Sequence, residues 1–444
     1  MQARKVYLIA YSYIIMFLFI SPSAIAASYY VDATNGNDRN DGLSPARAWK
    51  TIGRVNRETF NPGDEIKFKR GEVFDDYFLY LKIPYSGNKG NPITFKDYGK
   101  PHDPLPILTY SSNTTIWMID KVFVSFNNLE LVGGKNQVIE IKQSAKGETH
   151  HLVFKNCLIR DSHTGIWVDT ATGGLVEGCE IYHCGVGLSL NDPAFTVRNC
   201  KIHDNNCGIE MGAYDIVIER NEIYNNRVGI RYNPGRSEYE VIFRYNVIRN
   251  NTSHGFETIF GYGRGNIYYN IFSNNGGDGL FLKGKVSGNI YNNLIYSNGL
   301  NGIHLAKERG QAPSTIVLKN NIIMDSKGFE MNVVKGVGNF TSDYNCIYHS
   351  AGGTFMHWSG MDYNWKDWEN YSSQDAHSIN KPPLLIDETK NNFRLKAGSP
   401  CINAGINVGL KGVDYYGNPI PCGNFDMGVH EVHLGKDALS PLKE

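Results

Sequence analysis

From about residue 150 one short phrase returns at a nearly fixed interval, and a chain that repeats in this way has few folds open to it. The phrase reads Asn156-Cys157-Leu158-Ile159, then Gly178-Cys179-Glu180-Ile181, then Asn199-Cys200-Lys201-Ile202. It continues through Asn221-Glu222-Ile223, Asn246-Val247-Ile248, Asn270-Ile271-Phe272, Asn293-Leu294-Ile295, Asn321-Ile322-Ile323 and Asn345-Cys346-Ile347, at spacings of 21 to 28 residues. A glycine follows each of the first eight copies: Gly165, Gly187, Gly208, Gly229, Gly255, Gly279, Gly302 and Gly328. After it comes an alternating triplet, such as Ile166-Trp167-Val168, Ile209-Glu210-Met211, Ile230-Arg231-Tyr232 or Ile303-His304-Leu305.

Period-two alternation is the signature of a strand with one buried face. Two or three short strands per repeat, with Gly and Asn at the corners where left-handed backbone is needed, predict an all-β parallel β-helix, a solenoid of stacked coils. A leucine-rich repeat has a similar period, but its leucine-dense consensus and its helix are both missing. The column of Cys157, Cys179 and Cys200 followed by six asparagines predicts like side chains stacked inside the coils, with the amides bonding up and down. Of the other cysteines, Cys184 with Cys207 and Cys401 with Cys422 are the candidate disulfide pairs, should the chain meet an oxidising compartment. No Cys-x-x-Cys or His-rich spacing suggests zinc.

Residues 1–26 have a charged start at Arg4 and Lys5, an apolar run from Val6 to Ile20, and a small-residue exit at Ala24-Ile25-Ala26. Together these predict a cleaved secretory signal peptide and an exported protein with no stable membrane insertion. Losing Arg4 and Lys5 from 44 Lys and Arg against 44 Asp and Glu leaves a net charge near −2. That balance argues against a nucleic-acid partner. The expected organisation is an N-terminal cap with first coils over 27–125, the repeat array over 126–350 and a closing segment over 351–444. The aromatics Trp358, Tyr363, Trp365, Trp368 and Tyr371 are expected to pack within that closure.

Both ends carry further phrases. Near the start are Tyr29-Tyr30-Val31-Asp32, Asn35-Gly36-Asn37-Asp38, Ala48-Trp49-Lys50-Thr51-Ile52 and Asn61-Pro62-Gly63-Asp64. Near the end are Asp375-Ala376-His377-Ser378, Ser399-Pro400-Cys401-Ile402-Asn403-Ala404-Gly405 and Asp426-Met427-Gly428-Val429-His430-Glu431. This pattern resembles the secreted right-handed parallel β-helix (pectin-lyase-like) carbohydrate-active proteins, among them certain pectate lyases and β-helix glycosidases. The resemblance implies a single-chain right-handed β-helix that handles polysaccharide or oligosaccharide on a sheet face. It leaves the reaction open, because the group spans lyases, hydrolases and epimerases.

The middle residues of the triplets form an outward column: Glu140, Trp167, Ser189, Glu210, Arg231, Glu257, Phe281, His304 and Glu330. A second column two residues on includes Asp169 and Lys283. Glu210 and Glu257 are the candidate acid and base of a glycoside hydrolase, with Arg231 between them to hold one carboxylate ionised or to bind substrate. Trp167 and Phe281 are candidate platforms for sugar rings. Asp169, Lys283, His304 and, from the longer coil over 252–264, His254, Tyr262 and Arg264 are candidate substrate contacts. The same Glu-Arg-Glu run also serves as an ordinary cross-strand charge ladder. A polyuronate lyase is the alternative, with Arg231 or Lys283 as base and calcium as a possible cofactor. No tight Asp cluster for calcium is apparent, and the hydrolase reading calls for no cofactor or metal. A non-catalytic glycan-binding solenoid is the third reading. A monomer is expected.

Overall fold

The computed structural model describes residues 26–75, 80–83, 85–233, 236–258, 262–307, 315–421 and 423–433; the side chains of 236–239 and 262–263 are outside that description. Residues 1–25 of the expected leader, and Cys422, also fall outside it. No helix among the described residues is long and apolar enough to cross a membrane.

Each repeat lays down three strands, and each strand pairs in parallel with its counterpart one coil on. The triplets make one sheet, with Cys207–Met211, Val228–Tyr232, Phe256–Thr258, Leu280–Lys283 and Ile303–Ala306 in order. Strands such as Val217–Glu219, Arg236–Arg244, Tyr262–Tyr268, Lys285–Tyr291 and Thr315–Lys319 make the flank sheet. The residues after each repeated Asn make the third, through Glu222–Tyr224, Val247–Arg249, Ile271–Ser273 and Leu294–Tyr296. The expected parallel β-helix is therefore the observed fold. Its interior is filled by like residues in line, such as Ile202, Ile223, Ile248, Phe272 and Ile295, each at most 1% exposed.

The interior column satisfies itself. Asn246 donates from its amide nitrogen to Asn270 Oδ1 (2.9 Å) and to the Ile218 carbonyl (2.8 Å). Its Oδ1 in turn accepts the backbone and side-chain N–H groups of Asn221, both at 3.0 Å. The ladder ends where Asn345 donates its backbone N–H to Ser378 Oγ instead of to another Asn. A second ladder, unseen in the repeat phrase, runs through Cys184, Asn205, Asn226, Asn251, Asn275 and Asn298. Two ladders exist because each coil turns two such corners. At each corner the residue before the ladder position is left-handed, as at Asn199, Arg220, Tyr245 and Tyr269, or Asp204, Asn225, Asn250 and Asn274.

Three expectations need correction. The repeat glycines do not carry the left-handed corners; they permit close packing, since a Cβ on Gly187 would sit 2.5 Å from the Gly208 carbonyl oxygen. Cys184 and Cys207 are both free and buried. Cys184 occupies the second ladder opposite Asn205, while Cys207 pairs with Val186, so the two are out of register. Glu330 is not outward. It stands in the slot that glycine fills in earlier coils, fully buried, with His349 Nδ1 at 2.7 Å and the Ser326 N–H at 3.1 Å. The outward residue of that coil is Asn332, which pairs with His304.

The closing segment does two jobs. Of the aromatics expected to pack here Trp368 is buried but Tyr371 is 75% exposed; Trp368 donates Nε1–H to the buried Asp375, which also accepts from Ser342 and Ser378 and covers the end of the first ladder. Residues beyond 400 then run back along the coils. Tyr245 donates to the Val413 carbonyl, Tyr269 to Glu431 Oε1, and Asn320 to the Ile406 carbonyl. Burial lifts the Glu431 carboxyl to about 7. Within this strap the Cys401 thiol lies against that of Cys346, which its neighbour and burial push well up. Cys346 and Cys401 are both free thiols, and Cys422, the expected partner of Cys401, lies outside the described residues.

Candidate functional site

Strand register aligns Glu140, Trp167, Ser189, Glu210, Arg231, Glu257, Phe281 and His304 on the outer face of the triplet sheet. Neighbouring members lie one coil apart, roughly 4.8 Å. The column does not behave as one unit. At its N-terminal end Glu140 Oε1 is held by Lys142 (2.7 Å), whose ammonium lies 4.8 Å over the Trp167 ring. One face of that ring is thus already covered. Asp169 sits at the strand end beside Asp192, whose carboxyl burial and the Asp169 charge help to raise.

The centre is built differently. Arg231 Nε donates to Glu257 Oε1 at 2.7 Å, and both side chains are mostly enclosed, at 18% and 10% exposure. Burial alone would lower the Arg231 pKa, but Glu257 and the nearby Glu210 outweigh it and raise it. Glu210 is half-buried beside Arg231 in register, yet makes no hydrogen bond or ion pair among the described residues.

One coil further on, Phe281 lies between two imidazoles, with ring centroids 4.7 Å from His254 and 4.9 Å from His304. Those imidazoles meet at Asp278, which is 1% exposed. His304 Nδ1 donates to Asp278 Oδ2 at 3.2 Å, and Asp278 Oδ1 accepts from Asn301 N (2.9 Å) and Nδ2 (2.6 Å). Burial opposes ionisation of Asp278, but these donors prevail and its pKa lies below the usual range. His254 is another matter. Its Nδ1 lies 3.4 Å from Asp278 Oδ2 but accepts the Asp278 backbone N–H at 3.0 Å, and burial lowers its pKa. The shorter contact decides: His254 is neutral, with its proton on Nε2. His304, with Nδ1 occupied by Asp278, has a side chain that is 22% exposed.

Asp278 was missed by the sequence reading because it sits three residues before the outward Phe281, outside the alternating triplet. The signal was there. The residue ahead of the repeat glycine reads Val228, His254, Asp278 and Asn301 in successive coils, a run of polar groups following an apolar one. Lys283 lies near the Phe281 ring, its ammonium 5.4 Å from the centroid, and its backbone exchanges two 2.8 Å hydrogen bonds with Thr258 Oγ1. Arg264 is not part of this cluster; it lies round the next corner, on the flank sheet. The Tyr262 side chain lies outside the described residues. Among those residues no three His, Cys, Asp or Glu side chains converge as a metal site.

A family model described as right handed beta helix region matches residues 137–282 and 258–364, about half of the chain. A lacto-N-biosidase from Bifidobacterium longum subsp. longum is 27% identical over 138 residues, which cover 26% of this chain and 9% of the relative. The chain thus aligns with only about a tenth of that curated relative's length. Among solved structures, pectate lyase Pel9A superposes with a TM-score of 0.55 at 17% identity, covering 92% of this chain and 98% of the other. A complex of XylC with xylose superposes with a TM-score of 0.60 at 11% identity, covering 91% and 98%. Likeness at these identities concerns the fold.

Proposed function

Because the chain belongs to the right-handed β-helix family, we propose that it is an exported, monomeric enzyme that binds polysaccharide on the triplet sheet and hydrolyses its glycosidic bonds there. The observation that carries this reading is the enclosed Arg231–Glu257 pair with an unpaired Glu210 on one side and the Phe281 ring on the other. The partial relationship to a lacto-N-biosidase and the shared fold with a pectate lyase support a polysaccharide substrate.

In the proposed mechanism Arg231 orients the Glu257 carboxylate through their ion pair, and Glu257 takes a proton from the attacking water. Glu210, which makes no hydrogen bond or ion pair among the described residues, protonates the leaving oxygen. The two backbones lie two coils apart, roughly 9.6 Å, close to the roughly 6.5–9.5 Å between carboxyls that leaves room for a water in inverting hydrolysis. Phe281 carries a sugar ring next to the cleavage point. No step calls for a metal.

One observation favours β-elimination of a uronate as a second reading. His304, held by Asp278, presents Nε2 as a base, and Lys283 on the preceding coil supplies a cation for the carboxylate. Arg231 itself is a poor base because Glu257 and Glu210 hold its proton. Calcium would enter only with this second reading.

The test is to incubate the purified protein with a panel of polysaccharides and follow new reducing ends together with unsaturated-uronate absorbance. Reducing ends without absorbance are expected. Both signals together would replace hydrolysis by elimination, and neither signal across a broad panel would leave a glycan-binding solenoid.

A further inference from the structure

The flank sheet carries a second feature on the same coils as the column. Leaving the triplet sheet, the coils of Arg231, Glu257, Phe281 and His304 continue into Glu240, Arg264, Ser287 and Thr315 respectively, which are register neighbours on the outer face of the flank sheet. Together with Asn266 and Asn289 they line a trough of about 270 Å³. Gly265 and Gly288 pair with each other beneath it, at positions that face the interior, where a Cβ would meet Phe243 and Ile316.

Elsewhere the outer face of this sheet is closed by its own charges. Glu177 is bridged by Lys155 (3.0 Å) and Arg198 (2.8 Å), and Glu219 by Arg244 (2.6 Å). The trough breaks that habit. Glu240 and Arg264 are register neighbours of opposite charge, yet they do not pair. Glu240 Oε2 accepts from Asn266 Nδ2 at 3.0 Å, Asn266 Oδ1 accepts from Asn289 Nδ2 at 2.8 Å, and Asn289 Oδ1 accepts from the Tyr291 hydroxyl at 3.1 Å. The amide chain thus fixes the anion away from Arg264, which is exposed and has no hydrogen-bond or ion-pair partner among the described residues.

We propose that this trough is a second saccharide site, which takes an acidic sugar unit. Arg264 receives the sugar carboxylate, and the Glu240 carboxylate and the Ser287 and Thr315 hydroxyls receive ring hydroxyls. A planar guanidinium whose donors no described residue takes, beside fixed polar acceptors, fits a uronate better than a neutral sugar, which would leave the cation unmatched. The volume is below the usual range for drug-sized ligands, roughly 300–1,000 Å³, so one sugar unit rather than a long segment occupies it. Its place one corner from the column, on the same four coils, lets a polymer held here be delivered to the triplet sheet. The inference borrows its ligand class from the polysaccharide reading but depends on no catalytic step.

The test is calorimetric titration of the Glu257→Gln protein with oligogalacturonate hexamer, and with cellohexaose for comparison. Arg264→Ala and Ser287→Trp are then introduced separately into that background. The hexamer is expected to bind, cellohexaose to bind at least tenfold more weakly, and each trough substitution to weaken the hexamer at least tenfold while the melting temperature holds. Binding of the hexamer that neither substitution changes, equal binding of the two sugars, or no hexamer binding would overturn the proposal. Because the readout is binding to a protein disabled at the column, absence of turnover in the native chain leaves the result interpretable.

Discussion

The interior asparagine ladders and the outward triplet column repeat at the same interval but follow opposite rules. Inside, every coil repeats the same side chain, and each one is satisfied by its neighbours, as Asn246 is by Asn221 and Asn270. Outside, no two neighbouring coils from Ser189 to His304 carry the same residue, and among the described residues bonding capacity is left open at Glu210 and at His304 Nε2. Repetition serves stacking; variation at a stacked position has to serve something else. The flank sheet supplies the control, since its Lys155–Glu177–Arg198 run is also outward but closes upon itself. Charge on the surface is therefore not the distinguishing mark. Unsatisfied capacity beside a buried ion pair is.

That contrast can be broken in four places. The largest effect should come from Glu257→Gln and Glu210→Gln, each lowering turnover on the responsive polysaccharide at least about a hundredfold, the usual worth of a positioned acid or base. Steady-state assays beside matched circular dichroism spectra check this, and near-native turnover in both would remove them from the chemistry. Asn246→Ala should do the reverse. It strands the Asn221 N–H and the Ile218 carbonyl, and should cost about 3 kcal/mol of stability by chemical denaturation. Any KM measured where it is still folded should be unchanged.

The third effect concerns pH. Glu431 binds its proton more tightly folded than unfolded, so between its ordinary value near 4.3 and about 7 the folded state holds the extra proton. Stability should therefore fall as pH rises through that window and level off above it. Glu431→Gln should flatten the slope in thermal melts, and an unchanged slope would place the titration elsewhere. The smallest effect belongs to the control. Glu177→Gln should cost less than about 1 kcal/mol, as partly exposed surface pairs do, and leave turnover alone.

Much of this molecule could be read from its sequence. Period-two triplets and stacked asparagines specify a parallel β-helix because side-chain alternation and amide ladders have little other use at that spacing. The register of Glu210, Arg231, Glu257, Phe281 and His304 followed from the repeat glycines. What failed did so for local reasons. Glu330 was placed outward by counting from Gly328, but the coil is shifted by two residues and a carboxylate fills the glycine slot. Asp278 lies outside the period-two pattern, and its role appears only when the coil before it brings His254 and the coil after it brings His304. The second asparagine ladder was hidden by its own neighbours. In Asn-Asn pairs such as Asn225-Asn226 and Asn250-Asn251 one member is a left-handed corner and the other points inward, and residue type alone does not tell them apart.

On this reading sugar is cut on the outward column at the Arg231–Glu257 pair. Crystals of Glu257→Gln grown with the oligosaccharide that the native protein degrades test it most directly. The predicted result is a sugar ring stacked on Phe281, with a glycosidic oxygen between Glu210 and position 257. An oligosaccharide bound only elsewhere on the solenoid, with that column bare, would contradict it.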